Sequence, residues 1–325
     1  MTGRQTVVMV TTSYPRFPGD TIGTFMEPIV HGLAARGHEV HVVLPWHPLL
    51  QRPAREGGVH FHPFHYAPLA ALNVFGYADA LKADVRLRWS AYAAAPLALT
   101  AGWNKARTIA RSVDATIVHA HWVVPGGVIG AASAGHRPLV ISLHGSDVYV
   151  AERHSLARRL ARAAFRRAAW TTACSDDLRR RAIAIGAPPD RAEIIPYGVD
   201  ADRFRPDAAT RASVRRRLGV GENEPMLFSA GRFVHKKGFE YLIDAAAILV
   251  SEWPGLRLVI AGAGDLDAEL RRRVDENPRV VDRVRFVGVL AHEQIADFLA
   301  AADLAVVPSV HDDEGNVDGL PNFAL

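Results

Sequence analysis

The sequence has 325 residues, of which 49% are hydrophobic and 22% charged, enough for about two domains with real cores, so a disordered protein is excluded. The net charge of +4 is a mild basic excess that gives no argument for nucleic-acid binding. The single cysteine, Cys174, excludes an intramolecular disulfide. No apolar run reaches the length of a spanning helix, about 18 residues. We therefore expect a cytoplasmic protein that contacts a membrane at most at its surface.

The amino-terminal stretch predicts the opening of a doubly wound α/β domain. A β-branched apolar run at residues 6–12 is typical of a buried strand, residues 13–23 are a loop with prolines and glycines, and residues 24–38 have helical spacing. A second strand follows at residues 39–44. In this arrangement the loop containing Gly23 faces the crevice where ligands bind.

Residues 45–68 are rich in proline, histidine and aromatic residues and indicate a loop, with a possible strand at residues 59–61. A metal site is one interpretation, but no second ligand cluster follows at a recognisable spacing, so we favour an aromatic loop. The histidines considered for that metal site are His47, His60, His62 and His65.

The middle of the chain continues the alternation and contains one candidate site histidine. Residues 78–112 indicate a helix, and strands are predicted at residues 115–120 and 139–143. The second of these ends at His144-Gly145, where glycine allows close approach of a ligand. A structural histidine bonded to the backbone is the alternative for His144.

Residues 151–170 indicate an arginine-rich helix. Its basic face is either a solvated helix surface or a weak contact with anionic lipid. A strand ending at Cys174 and a helix capped by Ser175 come next. The aperiodic segment that follows predicts a domain boundary, with an amino-terminal domain over residues 1–205 and a second Rossmann-like domain over residues 206–325.

The second half is centred on residues 226–240, MLFSAGRFVHKKGFE. Residues 226–230 read as a buried parallel strand and residues 239–250 as the next helix, which places Gly231 and Arg232 at the strand end and Lys237 at the helix start. Two fixed cations there suit a diphosphate, although two solvated surface cations are the alternative. Gly262 and Gly264 follow another strand, but Asp267 replaces the third glycine of a dinucleotide fingerprint, so we expect no NAD.

Several motifs together carry a family resemblance that covers nearly the whole chain. In order they are TTSYPRFPGDTIGTFMEPIVHGLAARGHEVHVV, HAHWVVPGG, SLHGSD, CSDDL, IIPYGVDADRFRP, AGRFVHKKG, VIAGAGD, VRFVGVL and ADLAVVPSVHDDEGNVDGLPNFAL. This order and spacing resemble the retaining glycosyltransferases of family 4. The resemblance implies the GT-B fold, with two doubly wound Rossmann-like domains facing a cleft.

The resemblance also implies roles for individual residues. Arg232 and Lys237 would hold the diphosphate of the donor, and His144 would contact the transferred sugar. Asp318 stands where the family usually has the first glutamate of its E-x7-E motif, one methylene shorter here. The implied catalytic residues are His144, Arg232, Lys237 and Asp318. The implied donor-binding residues are Gly23, Gly231, Arg232, Lys237, Gly262, Gly264, Asp318, Gly319 and Leu320.

The implied activity is transfer of a hexose from a UDP- or GDP-sugar to a lipid-linked or polysaccharide acceptor, with retention and without a metal or other cofactor. Family members continue beyond residue 325, so we expect a fragment whose second domain lacks part of the donor site. A catalytically degenerate sugar-nucleotide-binding or scaffold protein of the same fold is the alternative. No nucleic-acid partner is expected.

Overall fold

The computed structural model describes residues 3–20, 22–67, 72–77, 81–82, 86–87, 89–313, 315 and 317–325. The chain divides into two compact units, unit 1 (Met1–Tyr197) and unit 2 (Gly198–Leu325), slightly before the boundary predicted after residue 205. Each unit is a mixed α/β structure with a largely parallel sheet, which confirms the predicted fold class.

The described strands of unit 1 are β1 (Thr6–Val10), β2 (Glu39–Pro45), β3 (Arg55–Glu56), β4 (Val59–Phe64), β5 (Leu81–Lys82), β6 (Arg86–Leu87), β7 (Ile117–His121), β8 (Leu139–Leu143), β9 (Trp170–Ala173) and β10 (Ala192–Ile194). Its helices are α1 (Met26–Ala35), α2 (Trp89–Ser112), α3 (Val128–Ser133), α4 (Ser146–Arg153), α5 (Ser155–Arg167) and α6 (Asp176–Ile185). The sheet order is β10-β9-β8-β7-β1-β2-β4-β3, and only the β3 pairing is antiparallel. Because the chain runs from β1 to β2 on one side and later to β7 on the other, the switch point lies at the carboxyl ends of β1 and β7.

For three segments of unit 1 the predicted bounds of the helices and strands differ from those in the structure. Residues 59–64 form a full strand parallel to β2, since Val59 and Phe61 bury their side chains in the core, so the predicted loop is interrupted there. The pair β5 and β6 replaces part of the helix predicted from residue 78, and other residues of that stretch lie outside the described part. The arginine-rich helix is two helices, because His154 has an extended backbone between α4 and α5.

Unit 2 contains the strands β11 (Met226–Ala230), β12 (Arg257–Ala261), β13 (Val284–Phe286) and β14 (Leu304–Ala305) and the helices α7 (Ala208–Leu218), α8 (Phe239–Leu249), α9 (Asp267–Asp275) and α10 (His292–Ala301). The strand order is β13-β12-β11-β14, all parallel, so the switch point lies between β11 and β14. Alternate residues of β11 enter different cores: Leu227 packs with α8 and α9, and Phe228 with α7 and α10. Burial on both faces explains why β11 is a continuous apolar run.

In the part of the chain that the structure describes, no helix is both long and apolar enough to cross a membrane.

Candidate functional site

The loops after β11 and β12 approach each other so closely that only glycine fits at two positions. A Cβ atom at Gly262, where φ is +144°, would lie 1.9 Å from the carbonyl oxygen of Gly231. A Cβ atom at Gly264 would lie 2.6 Å from the carbonyl oxygen of Phe233. The three-residue loop at Gly262 to Gly264 therefore supports the backbone on both sides of Arg232.

The loop after β14 is fixed to the same place. At Gly238, φ is +65° and a Cβ atom would lie 2.1 Å from the carbonyl oxygen of Pro308. The backbone N–H of Val310 donates to the carbonyl of Lys236 at 3.0 Å. These contacts join the turn that contains Lys236 and Lys237 to the segment that leads to Asp318.

Asp318 lies at the centre of this arrangement. Its Oδ2 atom is 2.8 Å from Nζ of Lys237 and accepts a hydrogen bond from Oγ of Ser309 at 2.6 Å. Its Oδ1 atom is 3.7 Å from Nζ of Lys236. The side chain is only 9% exposed, and this burial favours a higher pKa. The charge of Lys237, the hydrogen bonds from Lys237 and Ser309 and the charge of Lys236 outweigh that effect and hold the pKa of Asp318 below its usual value.

Arg232 reaches the surface of unit 2 beside this cluster. Desolvation lowers the pKa of its guanidinium, whereas the Asp265 and Asp318 carboxylates act in the opposite direction. Gly231, immediately before it, would place a Cβ atom 3.6 Å from Cδ of Lys237, so the stem of that lysine runs along the end of β11. The switch point of unit 2 thus concentrates cations around one carboxylate.

Two further predicted donor-binding residues, Gly319 and Leu320, are half-buried directly after Asp318. The chain then forms one wall of a pocket between the ends of β11 and β14, which is also lined by Lys237. Phe323 closes this pocket by packing against Phe228, with ring centroids 5.4 Å apart.

In unit 1 the predicted site histidine lies in an aromatic cluster. Nε2 of His144 is 2.9 Å from Nδ1 of His121, and Nδ1 of His144 is 2.5 Å from the hydroxyl oxygen of Tyr197. The ring centroids of Phe25 and Trp122 lie 4.8 and 4.5 Å from that of His144. Both ring nitrogens of His144 therefore have partners within the protein.

These surroundings keep His144 neutral. Part of the residue reaches the surface, yet burial among these rings lowers its pKa to about 3, with a smaller effect from His119. Burial also lowers the pKa of His119 to about 4 and that of His121 well below its usual value. In a neutral imidazole one nitrogen donates and the other accepts, so Tyr197 and His121 together decide the tautomer of His144.

The turn that holds His144 is built around the buried carboxylate of Asp147. Its Oδ2 atom accepts from the backbone N–H of Val123 at 2.7 Å, and its Oδ1 atom accepts from that of Gly145 at 3.0 Å. Gly145 has φ of +119°, a conformation that favours glycine. Asp147 thereby joins the ends of β7 and β8, next to the switch point of unit 1. Burial raises its pKa despite these hydrogen bonds.

Gly23 belongs to the same region of unit 1. Its φ is +68°, and a Cβ atom there would lie 3.0 Å from Oγ of Ser13 and 3.1 Å from the backbone nitrogen of Tyr14. Its carbonyl accepts from the N–H of Met26 at the start of α1. Phe25, two residues later, contacts the His144 ring. The amino-terminal loop predicted to approach the donor is thus adjacent to His144.

Among the described residues, one group of side chains has the composition of a metal site. Ligand atoms of Glu39, His41 and His60 all lie within 4.8 Å of one another. The His41 and His60 rings stack at 18°, so their in-plane lone pairs run side by side and do not converge on an ion. His41 is already engaged, with Nε2 3.1 Å from Glu39 and Nδ1 3.0 Å from His62. We assign no metal to it, and of the histidines considered from the sequence only His60 belongs to it.

Comparison with known proteins identifies the family. Residues 22–203, more than half of the chain, match the profile described as Glycosyltransferase Family 4. The chain belongs to glycosyltransferase family 4. Residues 210–317 match a second profile, described as Glycosyl transferases group 1.

Curated relatives and solved structures agree with this family 4 assignment. The Bacillus subtilis protein TuaC, named for a role as a glycosyltransferase in teichuronic acid biosynthesis, is 27% identical over 98% of this chain and 77% of its own length. A GDP-mannose-dependent phosphatidylinositol monomannoside mannosyltransferase of Mycobacterium tuberculosis is 35% identical, over 42% of this chain and 35% of that protein. The crystal structure of Anabaena Alr3699/HepE in complex with UDP superimposes with a TM-score of 0.70 and 21% identity, covering 94% of this chain and 74% of that one. The fold is GT-B.

Sequence reasoning about this family 4 chain missed four residues around the two candidate sites: Lys236, Ser309, Tyr197 and Phe25. Lys236 and Tyr197 stand inside motifs that carried the resemblance, AGRFVHKKG and IIPYGVDADRFRP, so their position was a usable signal. Ser309 and Phe25 stand inside two other motifs of the resemblance, but nothing local indicated their partners, because their contacts join segments distant in sequence. Cys174 is buried, and burial raises the pKa of its thiol.

Proposed function

We propose that this family 4 protein transfers a hexose from a UDP- or GDP-sugar to a lipid-linked or polysaccharide acceptor. The observation that carries the proposal is the position of Arg232 and Lys237, directly beyond β11 at the switch point of unit 2, where open α/β sheets bind ligands. The names of relatives support a nucleotide-sugar donor, since the mycobacterial enzyme is GDP-mannose-dependent and the Anabaena structure contains UDP. The name of TuaC supports a cell-envelope polysaccharide.

In the proposed reaction the bond between the anomeric carbon and the phosphate oxygen breaks, and the nucleoside diphosphate leaves with the electron pair. Arg232 would bind the departing phosphates as a fork and Lys237 as a point charge, which stabilises the charge that develops. The acceptor hydroxyl oxygen would attack the anomeric carbon from the same face and pass its proton to the departing phosphate oxygen, so the anomeric configuration is retained. An anomeric assignment of the product by NMR tests this, and an inverted product would contradict it.

We propose that no metal is needed, because fixed cations can supply the charge that a divalent ion supplies elsewhere. Glycines at 231, 262 and 264 would let the backbone approach the nucleotide. Gly23 would approach the donor phosphates from its own loop. Gly319 and Leu320 would contact the donor beside Asp318. His144 is neutral and suited to form a hydrogen bond with a sugar hydroxyl. To do so it would give up its present hydrogen bond with His121 or with Tyr197.

On the acceptor side we propose a weak peripheral contact with the inner face of the cytoplasmic membrane. Along α5 the buried side is formed by small residues and Phe165, while the solvent side carries Leu156 and several arginines. The exposed arginines are Arg158, Arg159, Arg162 and Arg166. Such a face is attracted to anionic lipid. Retention of the protein by vesicles with phosphatidylglycerol, and its release by salt, would support this contact.

The test is a calorimetric titration of the full chain with UDP, GDP and ADP, each with and without magnesium. We expect one nucleotide to bind without magnesium, and Arg232→Ala to lose that binding. Arg216→Ala is the matched control, since Arg216 is an exposed arginine on α7 of the same unit. Equal affinity in both variants would refute the assigned site. Binding without donor turnover would favour a catalytically degenerate scaffold.

A further inference from the structure

We propose that Lys236 is a third cation of the donor phosphate site, kept in place by Asp318 until a diphosphate arrives. This inference rests on the proposed function, because it assigns a further residue to the same site.

The backbone around Lys236 is held from two sides. The three-residue turn His235–Lys237 ends at Gly238. The Pro308 carbonyl oxygen packs against Gly238 on the side where any other residue would carry its Cβ atom. The Lys236 carbonyl accepts from the Val310 N–H at 3.0 Å. A lysine on such a turn has a fixed starting point for its side chain, so its ammonium group reaches a restricted volume.

The side chain of Lys236 points inward. Only 18% of it is exposed, less than the 22% of Lys237. Burial lowers the pKa of Lys236, the Asp318 carboxylate opposes this, and the positive charge of Arg232 adds to the lowering. An ordinary solvated lysine would avoid these costs by extending into water.

Three cations share this cluster. Arg232, Lys236 and Lys237 bring three positive charges, and the carboxylate of Asp318 contacts both lysines. Asp265 and Asp312 act on the cluster electrostatically. Three cations suit the two to three negative charges of a nucleoside diphosphate better than two cations do, because the departing diphosphate gains charge as the bond breaks.

Asp318 therefore acts as a positioning residue. Each of its oxygens faces a different lysine, with Oδ2 2.8 Å from Nζ of Lys237 and Oδ1 3.7 Å from Nζ of Lys236. The carboxylate therefore keeps both ammonium groups beside the end of β11, each on its own oxygen. The Oδ1 contact is the longer one, which makes Lys236 the easier lysine to transfer to an incoming phosphate. The result is a site that is ordered before the donor binds.

The test compares Lys236→Met, which keeps the length of the side chain but removes its charge, with Lys236→Arg, which keeps the charge. Lys105→Met, a half-buried lysine on α2 of unit 1, is the matched control. Calorimetry on the full chain measures the affinity for UDP, UMP and uridine, or for the guanine series if that is the base preferred. Thermal unfolding verifies that each variant is folded.

We expect Lys236→Met to weaken the diphosphate at least tenfold while the nucleoside changes less than twofold. Lys236→Arg should remain within about threefold of the wild type, and the salt dependence of binding should be shallower in Lys236→Met. An unchanged diphosphate affinity, or an equal loss for UDP and uridine, would overturn the assignment of Lys236. If Arg232→Ala loses diphosphate binding and Lys236→Met does not, the proposed function stands and the role of Lys236 is wrong. If the wild type binds no diphosphate, the proposed function and the role of Lys236 both fail.

Discussion

Nζ of Lys237 lies 2.8 Å from Oδ2 of Asp318, so two residues expected to bind different parts of the donor bind each other. The switch point between β11 and β14 explains this, because it brings the loop after the first strand of unit 2 beside the loop after its last. A bound donor would have to separate Lys237 from Asp318 or contact both side chains while they remain paired. The ion pair is thus part of the resting state of the site.

The first prediction concerns the charge of Asp318. Asp318→Asn keeps an oxygen that can accept from Ser309 but leaves two inward-facing lysines without their carboxylate. We expect the free energy of unfolding of unit 2 to fall by about 2–3 kcal/mol at pH 7, as when one partner of a buried pair is removed. Urea unfolding followed by tryptophan fluorescence, to which Trp253 of unit 2 contributes, measures it, with the five tryptophans of unit 1 common to both proteins.

The pH dependence of the same variant gives a control. The folded pKa of Asp318 is below its ordinary value, so its stabilisation is present above the ordinary carboxyl pKa of about 3.8 and is lost as the pH falls through the folded pKa. The difference between wild type and Asp318→Asn should therefore shrink below about pH 4. A difference that stays constant to pH 2.5 would show that charge is not the cause.

The second prediction uses the close approach at Gly264. Gly264→Ala would place a methyl group 2.6 Å from the carbonyl oxygen of Phe233, which follows Arg232. We expect about 2–4 kcal/mol lower stability of unit 2 and weaker nucleotide binding, since the loop that holds Arg232 must move. Gly221→Ala is the control, because its Cβ would meet only the flexible Glu224 side chain at 3.4 Å. If both variants unfold and bind alike, the two loops are not coupled in this way.

The sequence predicted most of the strands and the residues at their ends, but not which side chains meet. The apolar run of β11 and the glycine beyond it placed Arg232 correctly at a strand terminus, since that follows from local pattern. The contact between Lys237 and Asp318 depends on the order of β11 and β14 in the sheet, which local periodicity does not encode. Likewise, the bond between His144 and Tyr197 joins segments whose proximity only the packed unit defines.

Residues 59–64 illustrate the same limit for the fold. Prolines and histidines there suggested a loop, yet pairing with β2 and burial of Phe61 produce a strand. Tertiary packing outweighed local propensity at this position.

The third prediction concerns acid sensitivity of unit 1. Burial lowers the pKa of His144 to about 3, that of His119 to about 4 and that of His121 well below its usual value. Between about pH 6.5 and these values the unfolded chain binds protons that the folded chain does not, so stability falls as the pH falls. The slope is up to about 1.4 kcal/mol per pH unit for each such histidine, less for His119 and His144, which are partly exposed.

Urea unfolding between pH 7 and pH 4, followed by tryptophan fluorescence, to which Trp122 beside His144 contributes, measures this slope. His119→Gln keeps a side-chain amide that can bond Ser142 and should reduce the slope while the unit remains folded. A wild-type stability that is flat over this range would show that these histidines are protonated in the folded protein.

The last prediction concerns the hydroxyl of Tyr197. Tyr197→Phe keeps the ring that stacks on Phe25, with centroids 4.9 Å apart, and removes only the oxygen 2.5 Å from Nδ1 of His144. Loss of one hydrogen bond should lower the stability of unit 1 by about 1 kcal/mol. Since Tyr197 and His121 together decide the tautomer of His144, we also expect the nitrogen-15 shifts of the His144 ring to change. A purely structural role for Tyr197 would leave those shifts in place.

If His144 bonds the transferred sugar, the same variant should lower kcat about tenfold and leave the affinity for the nucleotide alone within twofold, because the cations proposed to bind the phosphates belong to unit 2. Tyr241→Phe, at a tyrosine 61% exposed on α8, is the matched control and should change neither the shifts nor kcat. An altered tautomer of His144 with wild-type kcat in Tyr197→Phe would show that Tyr197 orients the ring of His144. It would also show that His144 takes no part in transfer. An unaltered tautomer would instead show that His121 alone orients the ring.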